Sequence, residues 1–98
     1  QGYQGVLHGG MISALLDAAM THCLFARGVQ ALTAEMTVRF VAPVPIEHPL
    51  LITAQVLANK RRIYWLEARL KVNSQLLARA TARFIEPRQI CAHARSAA

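Results

Sequence analysis

Acidic residues are scarce in this chain. Its 98 residues hold five Asp and Glu against eleven Lys and Arg, a formal charge of +6. That balance suits an anionic partner: a nucleic acid, a phosphorylated ligand or an acidic membrane surface. Cysteine is equally scarce. Cys23 and Cys91 make no disulfide framework, and a reducing cytoplasm is the setting they fit. His8, His22, His48 and His93 are isolated, with no CxxC or HExxH, so no metal site is expected. Neither GxGxxG nor a P-loop occurs, which removes nucleotide binding by those routes. Aromatics are 6% of the chain and no RNA- or DNA-binding motif is present, so charge alone speaks for nucleic acid and none is expected. No targeting segment and no apolar run long enough to span a bilayer is found, so no membrane partner is expected.

What the chain has in quantity is apolar side chains, 54% of the total. Ninety-eight residues make one domain with a modest core, and so much apolar surface is often shared with another subunit. The domain is expected over residues 1–87, followed by an unpatterned tail at 88–98.

The stretch His8–Gly28, HGGMISALLDAAMTHCLFARG, organises the rest. Two glycines open it, one closes it, and Asp17 is the only carboxylate within it. The pattern predicts a helix from Gly10 to Arg27, with Gly28 just past its end and Arg27 set against the negative end of the dipole. Helical spacing puts Ser13, Ala14, Met20 and Thr21 beside Asp17, small or hydroxylic neighbours that leave room for a ligand or a water. The plain alternative is a structural Asp held by Ser13 and Thr21, or one simply exposed on the helix surface. Met11, Leu15, Met20 and Phe25 fit core better than a ligand pocket. His8-Gly9-Gly10 places backbone N–H groups at a helix N-terminus with no side chain in the way, which suits an anion or a polarised carbonyl oxygen. Alternatively the glycines make a tight turn that His8 caps. Asp17 lies eight residues beyond Gly9, about 12 Å along the axis. One helix does not bring both groups to one carbonyl, whereas two antiparallel copies about a two-fold axis do.

Four strands are expected after the helix. Residues 32–41 alternate, with Leu32, Ala34, Met36, Val38 and Phe40 on one face and Thr33, Glu35, Thr37 and Arg39 on the other. Pro43 and Pro45 end that strand, and a loop runs from Ala42 to Pro49. Residues 50–60 alternate more weakly, with Ile52, Ala54, Val56 and Ala58 together. Lys60-Arg61-Arg62 makes a cationic turn, residues 63–72 a third strand, Asn73-Ser74 a tight turn and residues 75–86 a fourth strand. The fold class is α+β: a long apolar helix followed by an antiparallel four-stranded meander, its small alanines letting the sheet curve around the helix. No strand precedes the helix, so either one belongs before it or a partner covers the sheet edge.

The order HGGMISALLDAAM, TAEMTVRFVAP and then two hairpin strands resembles the hotdog-fold acyl-CoA thioesterases over residues 5–86. The similarity is to the branch of the phenylacetate-pathway and 4-hydroxybenzoyl-CoA thioesterases. It implies a long central helix wrapped by a curved antiparallel sheet, and hydrolysis of an acyl-CoA thioester by a homodimer or dimer of dimers with shared sites. It further implies a cytoplasmic enzyme with no cofactor beyond the coenzyme A of its substrate. On the resemblance, Gly9 supplies the N–H that polarises the thioester carbonyl, and Asp17 of the other subunit is general base or nucleophile. Thr21 or Thr33 holds the attacking water, and His8 orients the loop or helps position the carbonyl group. Gly10 and the cations Arg39, Lys60, Arg61 and Arg62 are the candidates for the coenzyme A, with Arg79 and Arg83 weaker ones. The family's Asn or Gln six residues before the His is Gly2 here, with Gln1 and Gln4 nearby. That departure leaves a second reading, a non-catalytic acyl-CoA-binding or sensing protein. A hotdog hydratase pairs His with an acid in a motif this chain lacks.

Overall fold

The computed structural model describes residues 8–45 and 47–87. They form α1 (Gly9–Phe25), β1 (Leu32–Phe40), β2 (Leu51–Lys60), β3 (Ile63–Val72) and β4 (Gln75–Ile85). Gln1, Gly2, Gln4, Cys91 and the tail at 88–98 lie outside the described residues.

Helix α1 starts on His8, whose backbone is extended (φ −66°, ψ 143°) and whose Nδ1 accepts from the Gly10 N–H at 2.9 Å. The imidazole thus satisfies one of the helix's orphan donors. Neither Gly9 nor Gly10 has a positive φ, so these glycines form no tight turn. Gly10 instead gives room to the cap: a Cβ there would sit 3.2 Å from His8 Nδ1. At the far end Gly28 has φ +80°. The Gly28 N–H donates to the Phe25 carbonyl at 2.9 Å and the Val29 N–H to the Leu24 carbonyl at 3.0 Å. This pair of bonds is a Schellman motif, and Val29 packs on the core that contains Leu24. Ile12, Leu16, Met20 and Leu24, four residues apart, are the buried stripe. Met20 belongs to the core as expected; Met11 and Phe25 are exposed, and Leu15 is half-buried.

The sheet order is β1-β4-β3-β2, all antiparallel. Only β2, β3 and β4 form a meander, joined by two-residue turns at Arg61-Arg62 and Asn73-Ser74. Asn73 (φ 51°) and Ser74 (φ 69°) are both left-handed, as a type I′ hairpin requires. The expected four-strand meander is corrected at β1, which pairs with β4 rather than with β2. The chain is held there beyond β1, because the Val41 and Ala42 N–H groups both donate to the Leu77 carbonyl (2.8 and 3.2 Å). Pro43 and Pro45 cannot continue a ladder, and Val44 is fully buried as the chain crosses towards β2. β1 and β2 are therefore the two edges of the sheet, and the outer edge of β1 has no strand partner among the described residues.

The face of the sheet towards α1 carries Leu66, Ala68, Leu70 and Val72 from β3 and Ala78, Ala80, Ala82 and Phe84 from β4, all buried. Ala54, Ala68 and Ala80 stand in register across three strands. This shallow alanine valley lets the helix come close, and Leu16 and Met20 fill the remaining space completely.

Strict alternation fails in three places, one of them at Leu77, the extra residue between the pairs Leu70↔Ala78 and Lys71↔Leu76, which is buried next to buried Ala78. Ala34 is an extra residue between the pairs Thr33↔Phe84 and Glu35↔Arg83. This bulge turns Thr33 to the helix side, beside buried Phe84, and turns Leu32 outward, 69% exposed. The expected grouping of Leu32 with Met36, and of Thr33 with Glu35, is corrected accordingly. Leu57 is the third bulge, after which Ala58 stands opposite the outward-facing Trp65 rather than with Ile52, Ala54 and Val56. Bulges also bend the strands that carry them, which helps the sheet curl around α1.

Candidate active site

Asp17 sits at mid-helix, half-buried, where α1 passes the start of β1. The Thr33 hydroxyl donates to Asp17 Oδ1 at 2.8 Å. The bulge at Ala34 is what aims Thr33 at this carboxylate. Thr21 has a different role: its hydroxyl donates to the main-chain carbonyl of Asp17 at 2.9 Å, within the helix. Among the described residues neither Ser13 nor Thr21 bonds the carboxylate, so the purely local reading of Asp17 does not hold. One carboxylate oxygen is fixed by Thr33. The second has no described partner and remains open to accept a hydrogen bond from a water or to attack a carbon.

The other group of interest lies at the start of the same helix. The Gly10 N–H is committed to His8. Among the described residues nothing accepts from the Gly9 N–H or the Met11 N–H, the other donors of the first turn, and Gly9 is the one with no side chain beside it. Gly9 faces the ring of Phe40 at the end of β1: a Cβ on Gly9 would lie 3.5 Å from Phe40 Cζ. Phe40 is 51% exposed, and sequence reasoning gave it no part here. Its inward place in the β1 alternation was the available sign. The two ends of β1 thus carry the two halves of the candidate chemistry, Asp17 with Thr33 at one end and Gly9 with Phe40 at the other.

The cations fall into two groups. Lys60, Arg61 and Arg62 form the β2–β3 turn, where Ile63 pairs with Ile85, which in turn pairs with Leu32 beside Thr33. They therefore share a sheet end with Asp17 and Thr33, about 15 Å away across three strand spacings. Asn59 braces this turn by donating to the carbonyls of Arg61 (3.1 Å) and Ile63 (3.0 Å). Arg62 donates to the Glu86 carbonyl at 3.2 Å, leaving Lys60 and Arg61 with no described side-chain partner. Arg39 belongs to the other group. It stands on the face away from α1, in one row with Arg79 and Arg69, about 20 Å along β1 from Thr33. Within one chain Arg39 is therefore not brought to Asp17. Arg83 is on that same outer face and pairs with Glu35 at 3.6 Å. Glu67, only 8% exposed, is a residue of this face that sequence reasoning missed. It accepts from Gln55 at 3.2 Å and lies 3.4 Å from Arg69 and 3.9 Å from Arg79, which offsets the like charges of that row.

A family model described as the thioesterase superfamily matches residues 4–79, more than half of the chain. No curated protein matches it. Among solved structures, one thioesterase superfamily protein aligns with a TM-score of 0.82 at 24% identity, covering 88% of this chain and 43% of that one. The zebrafish thioesterase superfamily member 2 aligns with a TM-score of 0.80 at 27% identity, covering 89% of this chain and 66% of that one. A hypothetical thioesterase of Streptococcus pneumoniae, solved with coenzyme A, aligns with a TM-score of 0.82 at 16% identity, covering 88% of this chain and 70% of that one. The chain thus spans less than half of the first of these and about two thirds of the other two. The helix laid in a curved antiparallel sheet is the architecture they share, and the chain belongs to the thioesterase superfamily, with its hotdog fold.

Proposed function

We propose that the chain hydrolyses an acyl-CoA thioester at a site shared between two copies. The observation that carries this reading is the 2.8 Å bond from Thr33 to Asp17 Oδ1, which fixes a carboxylate while leaving its other oxygen available. The outer edge of β1, without a strand partner among the described residues, is the edge on which we place the second copy. Pairing β1 with its counterpart across a two-fold axis runs the strands antiparallel and extends the sheet from four strands to eight. Such pairing sets the Thr33 end of one β1 beside the Phe40 end of the other. Asp17 then faces the partner's Gly9, and each pair of helices yields two equivalent sites. The exposed apolar side chains Leu32 and Val41 on and next to this edge strand favour the same association.

In the site, the thioester carbonyl oxygen accepts from the Gly9 N–H. The Asp17 carboxylate takes a proton from water as the water oxygen bonds to the carbonyl carbon. Negative charge gathers on the carbonyl oxygen, where the Gly9 N–H and the positive end of the helix dipole stabilise it. The tetrahedral intermediate collapses with cleavage of the carbon–sulfur bond, and the proton held by Asp17 passes to sulfur, releasing acid and CoA thiol. In the nucleophilic variant the free Asp17 oxygen attacks the carbonyl carbon, the carbon–sulfur bond breaks and CoA leaves as the thiolate; water then adds to the acyl carbon of the anhydride, its OH going to the acid and its proton to the thiolate, and the Asp17 carboxylate is restored. Thr33 orients the carboxylate in both. Two structures of the pneumococcal neighbour carry an Asp→Ala and a Thr→Ala change sixteen positions apart, the separation of Asp17 and Thr33 here, which supports reading these two as a functional pair. Lys60 and Arg61, which have no described side-chain partner, are the cations this reading assigns to the phosphates of the coenzyme.

The test is release of free thiol from a panel of short, medium and aromatic acyl-CoA esters. Asp17→Asn is expected to lower kcat by about 10³-fold. Gly9→Pro is the cleaner probe of the donor. Proline suits the first helical position, His8 already has the extended backbone that a following proline demands, and the N–H is lost while the added Cβ meets Phe40 only at an ordinary contact distance of 3.5 Å. The expected loss is about 10²-fold or more with the fold retained. No hydrolysis by the unmodified protein, together with binding of the esters, would replace this reading with that of an acyl-CoA-binding protein.

A further inference from the structure

We infer that Phe40 is a specificity-determining residue: its ring limits the bulk of the acyl group at the carbon next to the thioester carbonyl. The inference rests on Gly9 being the donor to that carbonyl. Phe40 stands opposite Ala78, which is fully buried on the helix side of the sheet, so its ring lies on that side as well. Alanine gives the ring no bulky neighbour across the strands, and the ring leans on the first turn of α1. Its Cζ is 3.5 Å and its Cε1 3.8 Å from the point where Gly9 would carry a Cβ. The ring therefore lies one van der Waals contact from the side-chain face of Gly9 and walls that side of the first turn, and 51% of the residue is exposed in the single chain.

An oxygen bonded to the Gly9 N–H lies about 2.9 Å from that nitrogen. The carbonyl carbon and the first acyl carbon then fall within about 5 Å of Gly9, the same shell the ring occupies. Carbon atoms do not approach much closer than about 3.5 Å, so an unbranched CH₂ at that position fits while an added methyl meets the ring. Selectivity against α-branched acyl groups follows from a residue that touches no reacting atom.

The experiment compares butyryl-CoA with isobutyryl-CoA, which differ only in where one methyl is attached. The kcat/KM ratio and, by calorimetry, the Kd ratio are measured for the unmodified protein, Phe40→Leu and Phe40→Ala. The unmodified protein is expected to favour butyryl-CoA by about tenfold or more, the usual worth of one misplaced methyl. Phe40→Ala brings the ratio below about threefold and Phe40→Leu gives an intermediate value. Should Phe40→Ala fail to fold, Phe40→Leu must still narrow the ratio. An unchanged ratio, or an equal loss on both esters, overturns the inference while leaving hydrolysis intact. Absence of hydrolysis with both esters bound removes the hydrolytic reading, and the Kd ratio alone then decides the role of Phe40. Failure to bind either ester overturns both.

Discussion

Thr33→Val removes the hydroxyl that holds Asp17 and keeps the shape of the side chain. A hydrogen bond to a charged group contributes about 1.5 to 3 kcal/mol when protected from water. Thr33 is exposed and Asp17 only half-buried, so water replaces part of what is lost. About 1 to 1.5 kcal/mol of orientation remains, which corresponds to a five- to tenfold fall in kcat/KM. Thr33 is not a core residue, so Tm should move by less than about 2 °C. In an Asp17→Asn background the same change should have almost no further effect, because the hydroxyl acts only through the carboxylate. Kinetics of the two single variants and the double variant on one acyl-CoA ester form the assay. Activity of Thr33→Val within twofold of the unmodified protein would refute the role given to the 2.8 Å bond. So would effects that simply multiply in the double variant.

Deleting Ala34 removes the bulge and should turn Thr33 away from Asp17; activity is expected to fall at least as far as in Thr33→Val, measured with the same assay. Replacing Lys60 and Arg61 by Ser should raise KM for acyl-CoA several-fold but leave KM unchanged for acyl-N-acetylcysteamine thioesters, which lack the phosphates; equal changes for both substrates would dismiss the phosphate role. Gly28→Ala should cost about 1 kcal/mol in thermal unfolding, since φ +80° disfavours any Cβ even though no atom lies within 4 Å of it. Leu16→Ala, at a fully buried position over the alanine valley, should cost about 2 to 5 kcal/mol.

Much of this architecture is legible in the residues. Gly28 marks the helix end because only a residue tolerant of positive φ closes a Schellman motif there. Alternation locates all four strands, and Asn73-Ser74 marks one of the two two-residue hairpin turns. Strand order is less visible, since Pro43 and Pro45 state that β1 ends but not which edge the chain reaches next. The bulges are the instructive failure. Alternation sets Thr33 on the face away from the helix, whereas the family resemblance sets it with Asp17, and the two conflict. One extra residue, Ala34, reconciles them by shifting the register between Thr33 and Glu35. A small apolar residue inside an apolar–polar pattern carries no sign of being the extra one. Glu67 was hidden for a related reason: an acid on the polar face reads as solvated until the register shows Arg79, Arg69 and Gln55 around it.

The central claim is that each site takes Asp17 from one copy and the Gly9 N–H from the other. Complementation tests it most directly. Asp17→Asn and Gly9→Pro are each prepared, shown to be inactive on acyl-CoA, then mixed in equal amounts under conditions that let subunits exchange. Each mixed dimer joins the native Asp17 of the Gly9→Pro chain to the native Gly9 of the Asp17→Asn chain. One of its two sites is then whole, and the mixture should recover about a quarter of the unmodified activity. If both groups act within one chain, every site in every mixture lacks one of them, and exchange that restores no activity would contradict the account.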